Sequence, residues 1–327
     1  MLRYLAGRLA EIAVVLLVMS AVVYVLIGLM PGDPVDIMVF GDPKMTPEDA
    51  ARLRALYGLD RPILDRYLAW LANALTGELG PSRNFARPVV DVLLPALGNT
   101  LLLAGSSFLI GAWLALPLGT WAARRHGTAS DQLINLFCFA GISVPPFWLA
   151  LLLITLFAVS LGVLPAGGMS SATDAQRGAS LLLDRLLHMI LPVTTLVLLR
   201  IGGYTRYLRA AMIETLRQDF VRTARAKGLP ESRVVWQHAL RNALLPVLTI
   251  LGLDFGALFS GALITEIMFG WPGMGKVMFD AVMGNDYNLA LCGLLLATLT
   301  TLLGNLLADL GYAWCDPRIS LRGTVEP

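Results

Sequence analysis

The stretch 214–246, ETLRQDFVRTARAKGLPESRVVWQHALRNALLP, reads as two helices joined by a sharp turn. Its first half suits a helix, Gly228 supplies the left-handed stop, and Pro230 with Glu231 opens a second helix expected to end at Pro246. What flanks this basic hairpin decides the fold. Apolar blocks lie on both sides, so the hairpin juts from a membrane domain and is tethered between two spans. Nothing in it suggests nucleic-acid reading. From charge alone, a basic hairpin beside a bilayer meets anionic lipid.

Apolar residues make up 56% of the 327-residue chain and charged residues 15%. That is well below the quarter or so that a soluble domain carries. A span needs roughly 20 mostly apolar residues, and six stretches qualify: 9–30, 99–123, 133–161, 187–205, 246–268 and 288–312. An all-α membrane protein with six transmembrane helices is therefore expected. The first stretch follows Arg3 and Arg8 as a secretory signal would. It is too long, however, and MPGDP (30–34) offers no small-residue cleavage site, so it reads as a retained anchor. The third contains Ser143-Val144-Pro145-Pro146, where missing amide donors and ring clashes predict a kink or break. Cys138, Cys292 and Cys315 form no C-x-x-C pair and His126, His188 and His238 are scattered, so neither a metal site nor a cofactor is expected.

Basic residues orient the bundle. With the N-terminus inside, the inner segments hold Arg3, Arg8, Arg124, Arg125, eight basic residues from Arg206 to Arg241, Arg318 and Arg322. These are fourteen of the twenty-five basic residues. Both termini are then cytoplasmic. The long outer stretch 31–98 matches its bases with acids such as Asp33, Asp36, Asp42 and Glu48, and long segments translocate regardless of charge.

FGWPGMGKV (269–277) reproduces most of the phosphate-cradling pattern G-x-x-x-x-G-K-[ST], with Val277 in place of the hydroxyl that would bind magnesium. It follows a membrane helix on the outer side, where ATP is not available. The expected role is a tight structural turn or outer gate formed by Trp271, Pro272, Gly273 and Gly275, with Trp271 at the interface. No second such pattern occurs, so the chain is not expected to hydrolyse nucleotide.

Within the outer stretch, TPEDAARLRALYG (46–58) predicts a helix capped at Thr46 and stopped at Gly58. Residues 62–76 predict a second, with Leu64, Leu68, Leu71 and Leu75 at helical spacing. The pair would form a small amphipathic outer cap that packs on the membrane domain, presents a landing surface to an external partner, or does both.

Ionisable residues within spans are functional candidates. Arg200 and Asp254 fall at similar depth on consecutive antiparallel helices, which predicts a buried pair. The alternative has Arg200 snorkelling to the inner surface while Asp254 faces a wet cavity. Gly252, Gly256 and Ser260 form a small-residue stripe suited to close helix packing. Glu266 and Asp309, near opposite ends of their spans, read as hydrogen-bonded structural groups.

RTARAKGL (222–229) followed by HALRNALLP (238–246) resembles the EAA loop of binding-protein-dependent ABC transporter permeases, in the spacing of the dipeptide, oligopeptide and nickel class. The resemblance runs almost end to end, through MPGDP, YGLDRP (57–62), GELGPS (77–82), GISVPPFW (141–148), LPAGG (164–168), ITEIMFGWPGMGK (264–276), NDYN (285–288) and DPR (316–318).

It implies a type I ABC importer permease fold in the bacterial inner membrane. The implied partners are a second homologous permease, two cytoplasmic ATPase subunits and a periplasmic or extracellular solute-binding protein. Peptides are the implied cargo, with nickel chelates or other small solutes as the alternative. The ATPase-coupling loop maps to Arg222, Thr223, Ala224, Arg225, Ala226, Lys227 and Gly228. A literal Glu-Ala-Ala is absent, since Arg222 and Thr223 hold its first two places. Small Ala224 and Ala226 would let a helix end enter a groove of another subunit. The implied organisation is an N-terminal end and first span (1–30), a periplasmic helical segment (31–98), a core of five spans with the coupling helix-turn-helix (99–315), and a cytoplasmic tail (316–327). An ion-coupled secondary transporter would show inverted repeats, and a membrane enzyme a convergent nucleophile, base or metal set. Neither is evident.

Overall fold

The computed structural model describes residues 2–29, 35, 46–56, 60–171, 179–258 and 262–315. Its compact units are two: residues 1–95 with 277–299, and residues 96–276 with 300–327. The first half of the last span thus belongs with the N-terminal unit, a grouping that linear segmentation of the sequence did not suggest.

In the first unit, α1 (Leu2–Gly28) is the first spanning helix. The helix α2 (Pro47–Leu56) starts as predicted: Asp49 N–H donates to Thr46 Oγ1 at 3.2 Å, and Asp49 Oδ2 accepts from the Thr46 hydroxyl (2.6 Å) and amide (3.2 Å). This reciprocal cap holds the Asp49 carboxyl below the usual carboxylate range, chiefly through the Thr46 hydroxyl. The stop expected at Gly58 lies outside the described residues. Helix α3 (Ile63–Leu75) packs on α1 through Tyr67, yet Leu64, Leu68 and Leu75 point away, at 64%, 52% and 81% exposure. The leucine stripe therefore does not face the chain's own core, because α3 turns its aromatic flank there instead.

A two-stranded hairpin, β1 (Pro81–Ser82) with β2 (Arg87–Pro88), follows. It is pinned by the NDYN segment. Asp286, 2% exposed, accepts from Ser82 Oγ (2.5 Å) and Asn84 N (2.9 Å), and it caps the last helix through Leu289 N (3.2 Å). Asn288 Nδ2 donates to Leu79 O (2.8 Å) and Pro81 O (3.1 Å). Two motifs some two hundred residues apart in sequence form one knot.

The rest of the chain is helical among the described residues, and most of it lies in the second unit. Helix α4 (Val89–Arg124) begins before the expected 99. Next come α5 (Ala129–Ser143) and α6 (Pro146–Ser160, π-helical from Ile154), then α7 (Ala179–Thr215), α8 (Asp219–Ala226) and α9 (Glu231–Ala257, π-helical over Val234–Ala239). The chain closes with α10 (Leu263–Met268), α11 (Met274–Met283) and α12 (Tyr287–Cys315).

Five of these helices are long and apolar enough to cross a membrane: α1, α4, α7, α9 and α12. The broken pair α5 and α6 makes a sixth if counted as one span. The predicted break at Ser143–Pro146 is a bend of 103°. Val144 and Pro145 are extended there, because a residue before proline avoids the helical region and Pro146 fits the first turn of a new helix. Helices α5 and α7 approach closely: a Cβ at Gly141 would fall 2.6 Å from Leu198 O, and one at Gly202 would fall 2.5 Å from Cys138 O. Such contacts substitute for a hydrophobic drive between helices in lipid.

The fifth span departs from expectation. It does not run from 246 to 268 and the hairpin does not end at Pro246. Helix α9 starts at Glu231 and continues through Pro246 to Ala257, and Leu263–Met268 is a separate short helix. A membrane helix tolerates one missing amide where neighbours and local π adjustment re-satisfy the backbone. Of the small-residue stripe, Gly256 does admit close packing, since a Cβ there would overlap Asn305 Oδ1 of α12. Ser260 lies outside the described residues.

Candidate functional site

The hairpin of α8 and α9 is a compact unit. Gly228 adopts φ +75°, which a side chain rarely permits. Leu229 N–H reaches back to Ala224 O (3.4 Å) and Gly228 N–H to Arg225 O (2.9 Å), so the last carbonyls of α8 are capped by a Schellman turn. Across the turn, Arg225 grips Glu231 with two bonds, Nη2 to Oε1 at 2.8 Å and Nε to Oε2 at 3.1 Å. The pair is about half exposed, so it sets geometry more than it stabilises.

Beneath the turn, Val221 and Ala224 pack with Val234, Val235, Ala239 and Leu240, and with Leu208 and Met212 at the end of α7. Ala224 therefore faces the hairpin's own core, contrary to the expectation that it enters another subunit's groove. Arg222, Thr223, Ala226 and Lys227 stay exposed on the opposite face. The reason is spacing: 221 and 224 lie on one side of the helix, 222, 223 and 226 on the other.

The FGWPGMGK turn is organised from inside by Glu266, which is fully buried. Its Oε1 accepts from Thr100 Oγ1 at 2.7 Å and, at 3.4 Å, from Ala262 N, and its Oε2 accepts from Lys276 N at 3.1 Å. Thr100 Oγ1 in turn accepts from Met274 N at 2.8 Å. The carboxyl lies against the first turn of α11, where free amides and the helix dipole favour an anion. A Cβ at Gly273 would fall 2.5 Å from the Glu266 carboxyl carbon, and one at Gly275 would fall 2.8 Å from Leu263 Cα.

The likeness to a phosphate loop thus has a physical basis, but the acceptor that the Lys276 amide meets is a carboxyl group of the chain itself. Trp271 is fully buried and not at an interface; its Nε1 donates to Asn99 O at 3.0 Å. Asn99 Nδ2 donates to Pro272 O (2.9 Å), and Gly168 of the LPAGG segment donates its N–H to Phe269 O (2.7 Å). Asn99, Thr100 and the LPAGG segment thus converge on this turn.

Arg200 and Asp254 are not joined directly. Tyr204, one turn beyond Arg200, donates its hydroxyl to Asp254 Oδ2 at 2.5 Å, and Arg200 Nη1 is buried with no hydrogen-bond partner among the described residues. Sequence depth placed Arg200 and Asp254 at one level but could not rank the neighbours around Asp254.

A further cluster escaped the sequence reading. Asp131, 2% exposed, accepts from Arg209 Nε (2.6 Å) and Nη2 (2.7 Å), from Gly127 N (2.9 Å) and from Asn135 Nδ2 (2.8 Å), while His126 Nδ1 lies at 3.3 Å. It ties the start of α5 to α7 just before the hairpin. Only the mixed charges RRH and D near a span boundary hinted at it. Arg209→Ala is expected to cost about 3–5 kcal/mol, because it strands a buried carboxylate. Arg209→Lys should fall between, since an ammonium cannot make the fork. Denaturation of the purified protein measures both.

Apolar spans joined through an exposed polar hairpin define this chain as a multi-span membrane protein. A family model described as binding-protein-dependent transport system inner membrane component matches residues 115–321, and a model of the N-terminal part of such components matches residues 1–100. The chain belongs to this family of ABC transporter permeases, transport components and not enzymes.

Among its relatives, the oligopeptide transport system permease protein AppB of Bacillus subtilis is 37% identical, over 98% of this chain and 99% of its own. A putative peptide permease protein of Brucella ovis is 39% identical over 98% and 100%. The dipeptide transport system permease protein DppB of Escherichia coli K12 is 34% identical over 98% and 99%. The fold is similar to that in an inward-facing crystal form of the MetNI methionine ABC transporter, with a TM-score of 0.54 at 15% identity over 69% of this chain and 96% of that one.

Proposed function

We propose that this chain forms half of the translocation path of an ATP-driven importer of di- or oligopeptides, paired with a second permease, driven by two ATPase subunits and supplied by an external binding protein. The observation that carries the cargo class is near-full-length similarity at 34–39% identity to permeases named for peptide transport. ATPase subunits dock on the exposed face of α8 formed by Arg222, Thr223, Ala226 and Lys227. Arg225, Ala224 and Gly228 hold that face rigid, so closure of the motor passes through the Schellman turn into α9 without a flexible joint. The turn at Trp271–Gly275, locked on Glu266, serves as the outer gate frame. Asp254 positions α9 against α7 through the Tyr204 hydroxyl.

Uptake of labelled dipeptides and oligopeptides by cells lacking this chain, with and without its return on a plasmid, tests the cargo. Unchanged peptide uptake would remove it, and transport by the purified chain alone on an ion gradient would remove the importer reading.

The proposed orientation puts the N-terminus and the hairpin in the cytoplasm and the 60–88 segment outside. A cysteine at Lys227 is expected to react with a membrane-impermeant maleimide only after lysis, and one at exposed Arg61, ahead of α3, to react in intact cells. The reverse pattern would invert the topology.

A further inference from the structure

We propose that helix α3 is immersed in the outer leaflet of the bilayer, with its Leu64, Leu68 and Leu75 face lying on phospholipid acyl chains. The proposal rests on α1 being a membrane span, and the choice of leaflet rests on the orientation proposed above. Between Glu11 and Pro31 the sequence carries no charge. A helix of nineteen residues rises about 28 Å, close to the ~30 Å hydrocarbon thickness. Ser20 stands near the middle. Yet Tyr67 Oη lies 2.9 Å from Ser20 Oγ and 3.4 Å from Leu17 O.

A tyrosine side chain is much shorter than the roughly 15 Å half-thickness of the hydrocarbon. The α3 backbone at Tyr67 is therefore below the boundary. The path of descent is visible in the contacts: a Cβ at Gly28 would fall 2.7 Å from Ile63 Cδ1, whereas the Tyr67 and Trp70 rings pack on Tyr24 at 5.6 and 6.0 Å. α3 enters beside the end of α1 and runs inward.

The distribution of side chains round α3 agrees. One flank, Ile63, Tyr67, Trp70 and Ala74, packs inward. About 100° further round lie Leu64, Leu68, Leu71 and Leu75, and the remaining arc holds Asp65, Arg66, Ala69 and Asn73. A helix resting in an interface needs this three-way division: a protein flank, an acyl-chain flank and a polar arc toward headgroups and water. The neighbouring α1 likewise leaves Leu17, Val18, Val22 and Leu26 exposed. The segment is thus a membrane element, where sequence alone suggested an outer cap packed on the membrane domain or open to a partner.

A benzophenone amino acid placed at position 68, and separately at 75, of the full importer in native membranes tests this. Both positions are exposed, so the probe does not disturb packing. After irradiation, the chain is expected to carry phospholipid-mass adducts at 68 and 75 and several-fold fewer at 73 on the polar arc. Cross-linking of 68 and 75 to another protein chain would overturn the proposal in favour of a subunit interface. Absence of any adduct at both would overturn it in favour of an aqueous cap. Neither result would bear on peptide uptake, so the two readings fail separately.

Discussion

Glu266→Ala is expected to prevent stable folding of the FGWPGMGK turn and with it most accumulation of the permease. Removing the carboxyl strips partners from the Thr100 hydroxyl and the Lys276 amide, and each buried polar group left unpaired costs about 1–3 kcal/mol. It also empties the space that Gly273 and Gly275 leave for it. The sum, about 3–5 kcal/mol, is comparable with a whole domain's margin. Glu266→Gln keeps the volume and one accepting oxygen but turns an amide donor toward Lys276 N–H or Thr100, so it should retain part of the stability. Membrane-fraction yield and thermal unfolding of the purified chain check the order wild type, Gln, Ala. Equal yields for all three would show that the turn is held by Trp271 and the backbone instead. Adding a methyl at Gly275 should mimic the loss, since it would press on the Leu263 backbone as well as on Glu266 Oε2.

Ala224→Asp and Ala226→Asp are expected to fail in different ways although they lie two residues apart. Ala224 is buried among Val221, Val234, Val235 and Leu240. A carboxylate there has no partner, and the hairpin should lose several kcal/mol and become protease-sensitive. Ala226 is exposed on the proposed docking face. Its substitution should leave the permease folded and reduce binding-protein-stimulated ATP hydrolysis by about tenfold or more, the consequence of roughly 1.4 kcal/mol lost at a subunit contact. Limited proteolysis and ATPase assays on the reconstituted importer separate the two. If Ala226→Asp leaves stimulation intact, the docking face lies elsewhere on the hairpin.

Much of this arrangement was legible in the chain itself. Long uncharged runs must form helices in lipid because every backbone amide needs an internal partner, so most of the long helices could be placed from composition, though not the fifth span. The break at Pro145-Pro146 and the turn at Gly228 followed from backbone chemistry local to those residues. The motif order carried the family.

Local rules failed where a side chain's role depends on what packs beside it from far along the chain. Pro246 looked like a stop, yet α9 continues through it, and Trp271 looked interfacial, yet it is sealed under Asn99. Arg200 and Asp254 had matching depth, but depth along an axis says nothing about rotation, and Tyr204 took the hydrogen bond. The Asp131–Arg209 fork joins residues 78 apart in sequence and left almost no local signature.

The amino-acid order by itself determined that the chain forms long apolar helices, where it breaks at Pro145-Pro146 and turns at Gly228, and which family it belongs to, because hydropathy and backbone propensity act over a few neighbouring residues. Only the tertiary structure decided which acceptor satisfies each buried donor and which face of α3 and α8 is left exposed. Those outcomes depend on helix rotation and long-range approach, which no short window of sequence encodes.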